Sequence, residues 1–412
     1  MAKDHDAAVL GRKLTLPCGV EIKNRIAKSA MSEILGDRDH QPTSSLVRLY
    51  ERWASGGTGL LITGNVMIDK NALGEPRNVV MDENSDMNML KQWAKSGKKN
   101  HTHIWVQLNH PGRQSPSFLS REPVAPSAIP YKTTLKYAFN TPRELSDEEI
   151  VLLVQKFAKA ASLVKKAGFT GVQIHGAHGY LVSQFLSPIY NQRTDRWGGN
   201  IEGRMRFVME IYREMRKQVG PGFPIGVKIN SSDFHRQGFS PEDALTVMQA
   251  LADEGIDLME ISGGTYESPV MMGAGQKPEE QKPFFIDFAE KAVQAIHTPI
   301  MLTGGFRSSK VMADAIRHSG VAMAGIARPL VIDPEMPMKI FCGKPYVSEV
   351  KPRTTGIGFI DRMAMLEITW YENQMRYLGN GREPDPDENV YLTMFKLFSR
   401  SGAKVFKRRR AS

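Results

Sequence analysis

Cysteine is scarce in this chain, whose 412 residues contain only two, Cys18 and Cys342. They lie far apart and form no Cys-x-x-Cys pair. This scarcity excludes an iron–sulfur cluster held by four cysteines and a structural zinc site built on cysteine. It is also typical of proteins that work in a reducing compartment.

Long apolar runs and the common nucleotide-binding motifs are missing as well. No run is long enough to span a bilayer, and the charged start, residues 1–6, is unlike a signal peptide. No Gly-x-Gly-x-x-Gly follows a predicted strand and no Gly-x-x-x-x-Gly-Lys-Ser/Thr occurs, which argues against a Rossmann fold and a P-loop. We therefore expect a cytoplasmic protein without a transmembrane segment.

Acidic residues are absent from the last part of the chain. Residues 391–412 carry seven lysines and arginines and no acid, so this tail accounts for most of the net charge of +10. Leu392, Phe395 and Phe398 recur on one face of a predicted amphipathic helix. We interpret it as a terminal helix docked on the protein and expect no nucleic-acid partner; contact with a membrane surface or a nucleic acid is the alternative.

Strand-like and helix-period segments alternate along the first 340 or so residues. Helix starts are marked by a capping box, Ser146 with Glu149, and by Ser240 before Pro241. Eight such repeats predict a (β/α)₈ TIM barrel, with an open doubly wound sheet as the alternative. The predicted strands are Arg25–Ser29, Gly59–Thr63, His103–Leu108, Gly171–His175, Ile225–Ile229, Leu258–Ile261, Ile300–Thr303 and Val321–Ile326.

Three segments lie outside the repeats. A hairpin is predicted around residues 14–22, and the proline-rich residues 110–142, after the third strand, are predicted to form a lid. From about residue 345 the alternation stops, and a further helix is predicted over residues 354–378, outside the barrel and ended by Gly379. We therefore expect two units, a barrel over residues 1–344 and a helical extension with a basic tail over residues 345–412.

Two histidines and a tyrosine follow the fourth predicted strand. His175 and His178 lie three residues apart, and Tyr180 comes after them in a glycine-flanked turn. Two imidazoles could bind a carbonyl oxygen while the phenol gives up a proton nearby, as in the reduction of a polarised double bond. Metal ligation and a purely structural role are the alternatives. Because no third ligand stands at a suitable spacing, we expect no metal site.

Other polar or glycine-rich sites follow further strands. Gly304-Gly305 and Ala327-Arg328 come after the last two strands, where a TIM barrel binds phosphate; tight turns with a solvated arginine are the alternative. Lys228 stands among apolar strand residues, so its cation is predicted to reach the barrel mouth; a lysine that caps the strand end is the alternative. Gln107 ends the third strand, where its amide could meet the edge of a ring imide.

These residues resemble the old yellow enzyme family of FMN-dependent ene-reductases, over about residues 10–340. The resemblance covers several separated motifs in the right order. They are Lys23–Ile26, Gln107–Arg113, His175–Tyr180, Phe185–Pro188 and Asn191–Asn200.

The resemblance implies FMN bound non-covalently at the carboxyl face of the barrel, NADH or NADPH as electron donor, and a small-molecule enone substrate. In the implied ping-pong cycle NAD(P)H reduces FMN, and the enone then takes hydride from the flavin and a proton from Tyr180, with His175 and His178 on its carbonyl oxygen. The implied FMN-binding residues are Ser29, Ala30, Met31, Ser32, Asn65, Gln107, Lys228, Gly304, Gly305, Ala327 and Arg328.

The chain also departs from familiar members. Ser32 stands where they have cysteine or threonine, Lys228 where arginine is frequent, and Ile34 where some bacterial members have a substrate-contacting tyrosine. The cysteine cluster and second nucleotide-binding domain of the large dienoyl-CoA reductases are missing, so the short, single-domain type is implied. A homo-oligomer is expected from the family. An NADH oxidase or a demethylase on the same barrel is the alternative activity.

Overall fold

A computed structural model of the chain describes residues 3–132, 134–265, 267, 282–358, 361 and 365–401. Its centre is a closed barrel of eight parallel strands, because the first and last barrel strands pair and the first also pairs with the second. A short further strand, β5 (Val79–Val80), pairs in parallel with the end of β4. The barrel strands are β3 (Ile26–Lys28), β4 (Leu60–Met67), β6 (His103–Asn109), β9 (Gly171–Gly176), β10 (Ile225–Asn230), β11 (Leu258–Ser262), β12 (Ile300–Thr303) and β13 (Met323–Ile326).

This barrel confirms the predicted TIM fold, and all eight predicted strands are present with ends shifted by a few residues. The strands read as continuous apolar runs because helices cover them outside and side chains fill them inside. The register sets His175 beside Lys228 on β9 and β10, and Lys228 beside Glu260 on β10 and β11. Three polar side chains of the interior are thereby aligned in one row.

The predicted hairpin is confirmed as β1 (Leu14–Thr15) paired antiparallel with β2 (Glu21–Ile22). Its apolar residues Leu14, Leu16 and Ile22 are buried in one cluster with Trp105 inside the barrel. The hairpin therefore closes the amino end of the barrel.

Helices surround the barrel, and both predicted helix starts are confirmed. Ser146 and Glu149 form the complete capping box, and Ser240 accepts from the amide of Asp243 ahead of Pro241 in the first turn. The helices that follow or flank the strands are α1 (Lys3–Leu10), α2 (Ser44–Ser55), α3 (Met87–Gly97), α4 (Asp147–Ala167), α5 (Leu181–Leu186), α6 (Ile201–Val219), α7 (Pro241–Asp253), α8 (Ile286–Ala295), α9 (Ser309–His318), α10 (Arg328–Ile332) and α11 (Met336–Phe341).

The segment predicted as a lid contains two 3-10 turns and the short strand β7 (Val124–Ala125), which pairs with β8 (Arg143–Glu144) just after the segment. It packs against the loop after β9, since Gln114 Nε2 donates to the carbonyl of His178 at 3.1 Å. Arg113 lies over the ring of Tyr131 and donates to Glu267. The described part of the segment thus supports the wall of the barrel mouth.

Two helices follow the barrel, α12 (Leu366–Gly379) and α13 (Val390–Ser401). The predicted start of the first helix, at residue 354, is wrong. Residues 358 and 361 are helical, but Met365 has a left-handed φ of 44°, and α12 begins only after it. Its end at Gly379 is confirmed. Arg48 of α2 donates to the carbonyl of Gly379 at 2.7 Å, which ties the helix to the outside of the barrel.

The tail helix docks on the protein, but not through the apolar face of its described part. Leu392 and Phe395 are exposed, whereas Thr393 is fully buried and Lys396 pairs with Glu388. The face offset by one residue docks because Glu388 offers buried partners for a hydroxyl and an ammonium. The Phe398 side chain and the basic residues Lys404, Lys407, Arg408, Arg409 and Arg410 lie outside the described residues.

None of the described helices combines the length and the apolar composition that crossing a bilayer requires.

Candidate active site

A cavity of about 240 Å³ lies at the carboxyl end of the barrel strands. The predicted site residues line it together, with the exceptions of Ser29 and Gly305. The predicted residues that do line it are Ala30, Met31, Ser32, Asn65, Gln107, His175, His178, Tyr180, Lys228, Gly304, Ala327 and Arg328.

Ser29, Gly305 and Ile34 lie behind or beside the cavity. Ser29 is fully buried, and its hydroxyl is 2.8 Å from that of Thr303, which does line the cavity. Gly305 has a φ of 86°, and a Cβ there would lie 3.0 Å from the amide nitrogen of Phe284. Both residues therefore support neighbours that reach the cavity. Ile34, the position of a family substrate contact, is not part of the lining.

The turn after β9 brings His175, His178 and Tyr180 together. His178 has a left-handed φ of 61° and Gly179 one of 76°, so the chain reverses sharply and Tyr180 stands directly before the first residue of α5. The His175 ring centroid lies 5.2 Å from that of His178 and 4.8 Å from that of Tyr180. The predicted constellation thus occupies one corner of the cavity.

Both imidazoles are neutral at pH 7. Burial, with the neighbouring charges of His178 and Lys228, lowers the pKa of His175 well below its ordinary value, and burial with Lys228 does the same for His178. A neutral imidazole keeps one N–H donor. Within the described residues, His175 Nδ1 is buried without a hydrogen-bond partner, whereas His178 Nε2 lies 2.8 Å from Ser262 Oγ.

Tyr180 is buried against His175, and Asn65 holds its hydroxyl. Its hydroxyl oxygen accepts from Asn65 Nδ2 at 3.3 Å. An oxygen that accepts from an amide can still donate its own proton. The phenol is therefore placed as a proton donor beside two neutral imidazoles.

These low pKa values make the native state sensitive to acid. Below the ordinary histidine pKa of 6.5, the unfolded chain binds protons that native His175 and His178 do not, so stability must fall as the pH falls. Each histidine should contribute a slope of about 1.4 kcal/mol per pH unit. The free energy of unfolding should be measured with urea between about pH 5 and 6. In His175→Gln its slope against pH should be smaller than in the wild type by about 1.4 kcal/mol per pH unit.

The exposed residue His297 provides a matched control for the acid dependence. His297→Gln should leave the slope of unfolding free energy against pH unchanged. An unaltered slope in His175→Gln would show that His175 does not remain neutral in the native state.

Lys228 and Gln107 are held by one buried hydrogen-bond network. Lys228 Nζ lies 3.0 Å from Glu260 Oε1, and Gln173 Nε2 donates to Glu260 Oε2 at 2.8 Å. Gln107 Nε2 in turn donates to Gln173 Oε1 at 2.7 Å. Since Glu260 is fully buried, it fixes both the cation and the amide edge that face the cavity.

Several lining residues were not predicted, and the largest group comes from α12. Glu367, Ile368, Tyr371 and Met375 form one helix face that borders the cavity. Glu367 pairs with Arg328, and Ser32 Oγ donates to Glu372 Oε1 at 2.9 Å. The helical period of this segment is visible in the sequence, but nothing in it indicates which face turns towards the barrel. The other unpredicted lining residues are Glu75, Ser262, Phe284, Phe285 and Thr303.

The donor set of this cavity fits the FMN that the family resemblance implies. Lys228 offers a cation and Gln107 an amide edge, which suit an electron-rich ring with imide atoms. Arg328 and the backbone at Gly304, with a φ of 109°, suit a phosphate. His175 Nδ1 and Tyr371 Oη are buried and without protein partners in the described part of the chain. No group of three or more His, Cys, Asp or Glu among the described residues could hold a metal ion.

Comparisons with known proteins agree with this geometry. The sequence profile of the NADH:flavin oxidoreductase / NADH oxidase family matches residues 15–346. The NADH-dependent flavin oxidoreductase iliE of Hypocrea jecorina is 37% identical over 355 residues, covering 79% of this chain and 87% of that protein.

Two further relatives bear on the reaction and on the fold. Cinnamate reductase of Clostridium sporogenes is 30% identical, covering 78% of this chain and 51% of that protein, so the chain spans about half the length of this relative. The structure of an old yellow enzyme homologue from Zymomonas mobilis matches with a TM-score of 0.70 at 24% identity, covering 84% of this chain and 97% of that one. The latter likeness shows the shared fold.

Proposed function

Because the chain belongs to the NADH:flavin oxidoreductase / NADH oxidase family, the family of the old yellow enzymes, we propose that it reduces the C=C bond of α,β-unsaturated carbonyl compounds. The family consists of oxidoreductases that use FMN and NAD(P)H. The observation that carries the proposal is the corner formed by His175, His178 and Tyr180. A relative named cinnamate reductase supports the choice of a conjugated C=C bond.

The two histidines bind the carbonyl oxygen of the substrate. Both are neutral, so each can donate one hydrogen bond without adding a full positive charge to the cavity. For His178 this requires Ser262 Oγ to donate to Nε2, which leaves the imidazole proton on Nδ1. Donation to the oxygen withdraws electron density from the conjugated system and makes Cβ electrophilic. When bound, FMN supplies hydride chemistry, with NAD(P)H as its reductant and the C=C bond as its oxidant. Tyr180 donates the proton to Cα from its position beside His175.

The flavin is held by residues from several barrel strands. Lys228 and Gln107 contact its ring. Glu260 holds Lys228 directly and Gln107 through Gln173. Ser32 donates to Glu372 at 2.9 Å, so donation to a flavin oxygen requires its hydroxyl to turn away from that carboxylate. The remaining proposed flavin-binding residues are Ser29, Ala30, Met31, Asn65, Gly304, Gly305, Ala327 and Arg328, with Ser29 and Gly305 acting from behind the lining.

A titration followed by two half-reactions tests the proposal. The purified chain should bind FMN with a change in flavin absorption, and NADH or NADPH should bleach it without oxygen. A conjugated ketone such as 2-cyclohexen-1-one should then restore the colour, and cyclohexanone should not. A chain that takes up no FMN would end the proposal. Recolouring by oxygen alone, with no enone active, would favour the NADH oxidase alternative.

A reducing compartment, such as the cytosol, suits this activity. The two cysteines are free and distant in the chain, and reduced nicotinamides are available there. We propose this location together with a small-molecule substrate. Sedimentation of the purified chain would test the proposed homo-oligomer.

A further inference from the structure

The helix α12 belongs to the extension after the barrel, yet it forms one wall of the cavity. It is fixed from outside by Arg48, which donates to the carbonyl of Gly379, and by fully buried Trp370, whose indole donates to the carbonyl of Glu388 at 3.0 Å. These contacts leave the opposite helix face towards the cavity. Glu367 and Tyr371 lie on that face, one turn apart.

Glu367 is paired with the arginine that is proposed to bind the flavin phosphate. Its Oε1 accepts from Arg328 Nη1, and both side chains are partly buried in the cavity wall. A guanidinium presents its donors in one planar fork, which binds either a carboxylate or a phosphate in the same way. Glu367 and a phosphate therefore compete for the same donors.

Tyr371 places an unpaired hydroxyl beside this ion pair. The side chain is only 4% exposed, and its Oη has no hydrogen-bond partner among the described residues. Burial raises the pKa of Tyr371, while the nearby charge of Arg328 lowers it. The phenol is therefore a neutral O–H donor, buried in the cavity wall close to Arg328. A buried donor of this kind indicates a ligand atom that accepts from it.

We propose that α12 completes the phosphate end of the flavin site: Tyr371 donates a hydrogen bond to the phosphate, and Glu367 holds Arg328 until the phosphate replaces it. This inference rests on the proposed function, since it assumes FMN in the cavity. It assigns two roles to the extension after the barrel. The first is an added donor, and the second is a carboxylate that opposes phosphate binding.

The negative charge of the phosphate determines whether a substitution at each residue weakens or strengthens FMN binding. Loss of the Tyr371 hydroxyl removes a donor to an anion and should weaken FMN binding. Loss of the Glu367 charge frees Arg328 and removes repulsion of the phosphate, so it should strengthen FMN binding. Riboflavin carries the same ring without the phosphate, and neither change should alter its affinity.

Fluorescence titration of the flavin-free chain with FMN and with riboflavin tests this. Tyr371→Phe should raise the Kd for FMN about tenfold, and Glu367→Gln should lower it about threefold to tenfold. The Kd for riboflavin should stay unchanged in both variants. Tyr391→Phe, on the exposed face of α13, is the matched control and should alter neither affinity.

Thermal unfolding of the same flavin-free variants separates binding from folding. Since Tyr371 Oη makes no bond to the described protein, Tyr371→Phe should not lower the melting temperature. Equal weakening of FMN and riboflavin in this variant would place Tyr371 against the ring and overturn the assignment. Weaker or unchanged FMN binding by Glu367→Gln would overturn the competing role of Glu367.

The wild-type titration distinguishes failure of this inference from failure of the proposed function. Equal affinity for FMN and riboflavin, together with enone reduction, would overturn the phosphate subsite and leave the function intact. No binding of either flavin would overturn both.

Discussion

Tyr180→Phe should slow the reoxidation of the reduced flavin by an enone about 100-fold or more, the scale of lost general acid catalysis. Phenylalanine keeps the ring that packs 4.8 Å from the His175 centroid but has no proton to give to Cα. Reduction of the flavin by NAD(P)H needs no proton from this residue and should keep its rate. Stopped-flow absorption measures the two half-reactions separately.

Tyr212→Phe is a matched control for this prediction. Tyr212 is also a buried tyrosine with a bonded hydroxyl, which donates to the carbonyl of Glu254 at 2.9 Å, but it lies on α6 outside the barrel. Its variant should change neither half-reaction. If Tyr180→Phe slowed reduction by NAD(P)H as much as reoxidation, the phenol would position the flavin or nicotinamide and would not act as the proton donor.

The barrel was predictable because its signals are local. Each strand is an apolar run bounded by a turn, and each helix repeats its apolar residues at helical spacing, so the alternation is visible without any long-range contact. The residues at strand ends could be grouped for the same reason. Once the strands are parallel, His175, Lys228 and Gln107 must meet at one end of the barrel.

The contribution of α12 was not predictable because it depends on long-range packing. Its cavity face and its outer face both contain aromatic residues, Tyr371 on one and fully buried Trp370 on the other. Which of them faces the cavity is decided by contacts with α2 and with Glu388, distant in the sequence or beyond the helix end. The docking face of α13 was not predictable for the same reason. The buried carboxylate of Glu388 determines which face docks, and the period of the apolar residues does not.

Glu260 links the stability of the barrel to the chemistry of the site. It is fully buried and bonds side chains of three other barrel strands: Lys228, Gln173 and Thr303. Its carboxylate is the partner of the Lys228 ammonium, and both side chains are buried. Removing one member of a buried pair leaves an uncompensated charge, which is more costly than the pair itself is stabilising.

Glu260→Gln should therefore lower the free energy of unfolding by about 3–5 kcal/mol. Glutamine keeps the shape of the side chain and can still accept a hydrogen bond, so the substitution creates no cavity. The lost stability is therefore the cost of leaving the Lys228 charge without its carboxylate. Glu254→Gln is the matched control, because it breaks the more exposed pair with Arg213 and should cost less than about 1 kcal/mol. Urea unfolding of the flavin-free variants measures both.

The double variant Lys228→Met with Glu260→Gln decides between a charge effect and a packing effect. Methionine fills much of the lysine stem without its ammonium, so the double variant should recover part of the stability lost in Glu260→Gln. It should still bind FMN more weakly than wild type, because the cation beside the flavin ring is gone. Additive losses in the double variant would show that Glu260 holds the barrel through Gln173 and Thr303. The Lys228 cation would then be tolerated without its carboxylate, and the role of Glu260 in fixing it would be wrong.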